Sequence, residues 1–159
     1  MTVAAHCILQ KGQSDATLAR DIKMFFGAYN LGENNEAGAY VTTPRKILIH
    51  DDWNPFEDRY DADIAIIITQ ENIPRTNYIQ PICLWENENL PNIREGTIAS
   101  WGTDYDSILG YEEIPKELKI PIRTLEYCLL DNLKLALIAS NRTFCGGSKD
   151  GRGPCNGKN

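Results

Sequence analysis

Short apolar runs rich in β-branched and aromatic residues recur along the chain, at 22–29, 46–50, 63–69, 96–101 and 119–123. Turn formers separate them: Gly27, Asn30-Leu31-Gly32, Thr43-Pro44, Asn54-Pro55 and Pro91-Asn92. Many short strands with few helices predict an all-β sandwich or barrel. One segment differs. In 125–140, Leu125, Leu129, Leu133 and Leu137 recur every four positions. That spacing predicts a short amphipathic helix with the leucines along one face and Glu126, Asp131 and Lys134 toward water. The polar stretch 86–95 reads as a linker, dividing the chain into 1–85 and 96–159, each small for an independent barrel.

Composition narrows the function class. The 159 residues are 42% hydrophobic and 24% charged, a globular composition. A net charge of −6 argues against nucleic acid or an anionic membrane as the partner, because both require a basic face. No apolar stretch approaches the roughly 20 residues needed to span a bilayer. The first residues lack the basic start and long apolar centre of a secretory signal. The five cysteines, Cys7, Cys83, Cys128, Cys145 and Cys155, include no Cys-x-x-Cys pair, which argues against a zinc ribbon or redox site. Their wide spacing suits disulfides in an oxidising compartment, and the odd number leaves a partner outside the chain or a free thiol. The sequon Asn141-Arg142-Thr143 makes Asn141 a candidate glycosylation site.

Two residues carry candidate chemistry. Alone, His6 reads as a structural or solvated histidine, and Asp63 as a turn residue or cap. A carboxylate entering the apolar strand at 64–68 needs a partner, because an unpaired buried one costs several kcal/mol. An imidazolium would serve. Together the two fit the His–Asp half of a nucleophilic triad, in which histidine is the general base and the acid fixes its tautomer.

Six segments in order then identify a family resemblance. Thr2-Val3-Ala4-Ala5-His6-Cys7 resembles the T-A-A-H-C motif of the trypsin-like (chymotrypsin-fold) serine proteases. Asp61-Ala62-Asp63-Ile64-Ala65-Ile66-Ile67 resembles the family's D-I-A-L-L strand, which carries the catalytic acid. Gln80-Pro81-Ile82-Cys83-Leu84 is similar to P-I-C-L-P, Ser100-Trp101-Gly102 to G-W-G, and Phe144-Cys145-Gly146-Gly147 to F-C-A-G. Gly153-Pro154-Cys155-Asn156-Gly157 resembles the G-x-C-x-G run that precedes D-S-G-G. The resemblance implies a double six-stranded β-barrel, here incomplete at both ends. Residues 1–85 would form most of the first barrel, 86–95 the inter-barrel linker and 96–159 the first part of the second. It implies serine endopeptidase activity on protein or peptide substrates, extracellular location, no cofactor and no metal.

The same resemblance exposes departures. After Gly157, which matches an oxyanion-hole donor, the family requires Asp and then the serine nucleophile. Lys158 and Asn159 stand there instead. An amide is no acyl-transfer nucleophile, so inactivity is expected. The family's acid before the serine pairs with the amino terminus freed on activation, and Lys158 would set a cation against that cation. Gly153 matches the base of the specificity pocket, where trypsin-type enzymes carry aspartate, implying small or apolar preferred side chains. Family pairing implies a Cys128–Cys145 disulfide, with Cys7, Cys83 and Cys155 lacking partners in this chain. A truncated enzyme and a non-catalytic, partner-binding homologue are the two competing expectations. Gly157-Lys158 is not a phosphate loop, because Arg152 and Asn159 stand where glycine and Ser or Thr are required. His50-Asp51-Asp52 reads as a solvated loop and not a metal site.

Overall fold

A computed structural model describes residues 1–33, 35–84, 93–102 and 113–147. Strand β5 (Ala65–Thr69) is the organising element of the first half. Its alternation buries Ala65 and Ile67 to 1% and 3% exposure while Ile66 faces outward. It pairs antiparallel with β1 (Thr2–Val3) on one edge and β4 (Pro44–Ile49) on the other, with a register irregularity at Pro44/Lys46. Strands β2 (Met24–Phe26) and β3 (Tyr40–Thr42) form a separate antiparallel pair. Ala5, Ile8, Met24, Trp53, Ala65 and Ile67 make one core cluster, with Val3, Leu9 and Phe26 packed against it.

The second half is a three-stranded antiparallel sheet, in the order β6 (Glu95–Ser100), β7 (Lys116–Arg123), β8 (Cys145–Gly146). Its buried apolar residues are Ile120 and Cys145 among the described residues. Among the described residues the fold is therefore β-rich, with antiparallel sheets and one α-helix. None of the three sheets closes on itself among the described residues.

Each apolar run of the sequence overlaps a strand. Three strands were not anticipated: β1, β3 and β8. They are two or three residues long, too short for alternation to register, and exist because a neighbouring strand offers an edge. The linker at 86–95 falls mostly outside the described residues.

The expected helix over 125–140 needs correction. The α-helix α1 spans Leu125–Asp131 only, capped by Thr124 Oγ1, which accepts from the Tyr127 N–H. Asn132 then adopts extended geometry (φ −148°, ψ 101°), and its Oδ1 accepts from the Lys134 N–H. A short 3-10 helix, Leu133–Leu137, follows. Asn132 thus ends one element and caps the next, the competition with helical hydrogen bonding expected of its side chain. The leucine stripe is not a core face: Leu133 and Leu137 are 79% and 66% exposed. The half-buried residues of α1 are Tyr127, Cys128 and Leu129, the turn that carries the Cys128–Cys145 disulfide.

Candidate active site

The β1–β5 register brings His6 to Asp63. Val3 pairs with Ala65, so the chain leaving β1 runs opposite the chain entering β5. A single 3-10 turn, Ala5–Cys7, then presents His6. Ala5 beneath it is fully buried, and its carbonyl accepts from the Ile8 and Leu9 N–H groups at 2.9 and 2.8 Å. On the other side, Ala62 sits at φ 52°, in the left-handed region that side chains rarely adopt. The Ile64 N–H closes this turn on the Ala62 carbonyl at 2.7 Å. The turn aims the Asp63 carboxylate back at the histidine.

The carboxylate grips His6 at two points. Asp63 Oδ1 accepts from the His6 backbone N–H at 2.8 Å, and Oδ2 lies 2.7 Å from Nδ1. Opposite a carboxylate, Nδ1 carries the ring proton, which leaves Nε2 as the basic nitrogen. The side chains are 31% and 16% exposed, so the pair is shielded yet reachable. This is the arrangement in which an imidazole can take a proton from a neighbouring hydroxyl. Cys7, an exposed free thiol, follows at once. Burial, and then the Asp63 charge, push its pKa up and keep it protonated.

Sequence reasoning missed the aromatic support of this pair. Tyr60 stands edge-on to the His6 ring at 5.8 Å and packs against Trp53 at 6.2 Å. The Lys11 ammonium lies 3.9 Å from the Tyr60 centroid and donates to the Asp58 carbonyl at 2.6 Å. Trp53 Nε1 donates to the Leu9 carbonyl at 3.2 Å, tying the core to the turn after His6. The one available signal was the position of Tyr60, close before Asp63 in a polar loop.

An open cleft of about 540 Å³ adjoins Asp63, lined by His50, Tyr60, Ile64, Arg142 and Phe144 among others. Arg142 crosses it. Its guanidinium donates to Asp52 at 2.6 Å and lies 3.8 Å from Asp61. The segment at His50-Asp51-Asp52, expected to be merely solvated, thus contributes an ion pair to a residue 90 positions away. The Asp52 N–H also donates to His50 Nδ1 at 3.1 Å. Among the described residues no group of three or more His, Cys, Asp or Glu is placed to hold a metal.

The hydrogen bond from Arg142, reinforced by its charge, holds the Asp52 carboxyl below the usual carboxylate range. The hydrogen bond to Asp52, then the charge of Asp61, raises Arg142 in turn. Because folding lowers the Asp52 pKa, the bridge contributes stability above the ordinary carboxylate pKa. That contribution is lost as pH falls through the depressed value. Both side chains are about half exposed, so the contribution is small. The Asp52 carboxyl carbon, followed by NMR, is expected to titrate at lower pH in the intact chain than in Arg142→Ala. Coincident curves would mean that no bridge forms in solution.

Cys128 and Cys145 form the expected disulfide. Asn141 lies exposed on a turn. Gly153, Gly157 and Asn159 lie outside the described residues, as do Lys158 and Cys155. No described helix is long and apolar enough to cross a membrane.

Residues 2–158 match the family model described as Trypsin. The chain is similar to serine protease gd of Drosophila melanogaster, 30% identical over 91% of this chain and 30% of that protein. It is also similar to clotting factor C of Tachypleus tridentatus, 26% identical over 96% of this chain and 15% of that protein. Coagulation factor IX of Cavia porcellus is 28% identical over 99% of this chain and 52% of that protein. The chain therefore spans between 15% and 52% of the length of these relatives.

Proposed function

Because the chain belongs to the trypsin family of serine proteases, we propose that His6 and Asp63 are the base and the orienting acid of a serine endopeptidase centre. The observation that carries this reading is the pair of hydrogen bonds by which Asp63 holds the His6 ring, at 2.7 Å, and the His6 backbone N–H, at 2.8 Å. In such a centre Nε2 takes the proton of a serine hydroxyl as it attacks the peptide carbonyl, then returns it to the leaving amine. Asp63 holds the tautomer and stabilises the imidazolium that forms between these steps. Gly157 contributes a backbone N–H to the developing oxyanion, and Gly153 forms the floor of a pocket for small or apolar side chains. The substrates are proteins or peptides, met outside the cell, as the clotting factors among the relatives suggest. Residues 1–85 belong to a first six-stranded barrel and 96–159 to a second, joined by 86–95, with the centre between them.

In this sequence the centre lacks its nucleophile, since Asn159 stands at the serine position. Loss of one oxyanion donor costs about 100- to 1000-fold in rate, and loss of the attacking oxygen removes the acyl-enzyme route altogether. Folded protein is expected to show no labelling by a serine-directed fluorophosphonate. It should also show no turnover of a mixed peptide library above a His6→Ala control. Labelling that depends on His6 would overturn this expectation. The second reading is a non-catalytic homologue that binds a protein partner, and the Lys158-Asn159 pair favours it. Sequencing the native protein after Gly157 separates the two. Asp-Ser-Gly-Gly there supports a working endopeptidase, whereas Lys158-Asn159 there removes the acyl-enzyme route, and the binding reading then stands or falls on recovery of a protein partner.

A further inference from the structure

The turn that carries the chain's one Asn-x-Thr triplet is built in an unusual division of labour. The Thr143 hydroxyl donates to the Ser140 carbonyl at 2.8 Å and accepts from the Ser140 N–H at 2.9 Å. The Ser140 hydroxyl accepts from the Arg142 N–H at 3.0 Å. The Arg142 side chain is anchored on Asp52 and Asp61, across the cleft. Ser140, Arg142 and Thr143 are thus all committed to holding the turn. Asn141, at its tip, is exposed, and its amide has no hydrogen bond within the described residues. Three positions along the chain, Phe144 lies 80% exposed in the lining of the cleft that adjoins Asp63.

We propose that Asn141 carries an N-linked glycan that stands over this lining and shields Phe144. The inference rests on the extracellular placement proposed above but not on the hydrolytic reading. The donor is an oligosaccharide carried on a lipid pyrophosphate. Asn141 Nδ2 attacks the anomeric carbon; one N–C bond forms and the C–O bond to pyrophosphate breaks. The amide proton goes to the transferase base, and the lipid pyrophosphate leaves with the electron pair. The folded state accepts the adduct without loss, because no hydrogen bond of the turn uses the Asn141 amide. Arg142 keeps the attachment point from swinging away, so the sugar covers the cleft lining and not open solvent.

Attachment is tested on the full chain, translated behind a cleavable secretion signal into microsomes, where it precedes folding. One glycan's increment in mass is expected, removed by peptide N-glycosidase and absent in Asn141→Gln. No increment, or one that survives Asn141→Gln, overturns the proposal. Placement is tested by hydroxyl-radical oxidation of the secreted protein. Phe144 is expected to oxidise more slowly with the glycan than after its enzymatic removal, and Arg142→Ala, which keeps the sequon, should lose that protection. Equal oxidation of Phe144 with and without the glycan overturns the shielding claim. Neither readout depends on peptide hydrolysis, so a failed protease assignment and a failed glycan assignment give different results.

Discussion

Trp53→Ala is expected to lower the unfolding free energy by about 3–5 kcal/mol, the range for deleting a large buried aromatic. Trp53 is 6% exposed and belongs to the core cluster with Ala5, Ile8, Met24, Ala65 and Ile67. Few large side chains share that work, and a typical domain is stable by only about 5–15 kcal/mol. The loss therefore reaches the site. Without the indole, Tyr60 loses the surface it leans on, and the Leu9 carbonyl loses its donor. His6 then loses the edge-on ring beside it. Urea unfolding followed by circular dichroism measures the cost. Trp53→Phe separates the contributions: it keeps a ring but drops the hydrogen bond to Leu9, and should cost about 0.5–1.5 kcal/mol beyond its volume change. A loss below about 1 kcal/mol for Trp53→Ala would mean that the indole is not a core residue.

Removing the Cys128–Cys145 disulfide should have the next largest effect. It closes a loop with a sequence separation of 17. The chain-entropy relation gives about 3 kcal/mol for a loop near that length. Here the bond has little help. Leu125, Leu130, Leu133 and Leu137 are all exposed, so α1 and the 3-10 helix after it bury little apolar surface of their own. An isolated helix of this length is marginal in water. The double substitution Cys128→Ala, Cys145→Ala avoids leaving a hydroxyl at the buried Cys145 position. It is expected to lose that stability and to abolish amide-exchange protection across Leu125–Asp131, while β4 and β5 keep theirs. Unchanged protection in α1 would show that packing, and not the disulfide, holds it.

The chemistry of the site was legible in the sequence because it is written in local runs. His6 sits in Ala4-Ala5-His6-Cys7 and Asp63 in Asp61-Ala62-Asp63-Ile64, and each run resembles a family motif without reference to the other. The strand-rich class was legible for the same reason. Apolar runs bounded by turn formers report which backbone segments lie extended and partly buried, and β4 to β7 fall on them. The helix was half legible. Its leucine period was real, but period alone does not weigh the capping strength of Asn132, and Leu125, Leu133 and Leu137 of the stripe are exposed.

Unaided, the sequence determined the family and the β-rich class, and it singled out His6 and Asp63 as a pair. Only the tertiary structure decided how residues 57 positions apart meet at 2.7 Å. That meeting depends on the register of β1 on β5, and β1 is a two-residue strand with no pattern of its own. The same is true of Tyr60 against His6 and of Arg142 against Asp52, which no local run links. Burial leaves a trace in the order of residues because each position meets it separately. Contacts between distant positions leave none, because they belong to the pairing of strands and loops that the whole chain settles together.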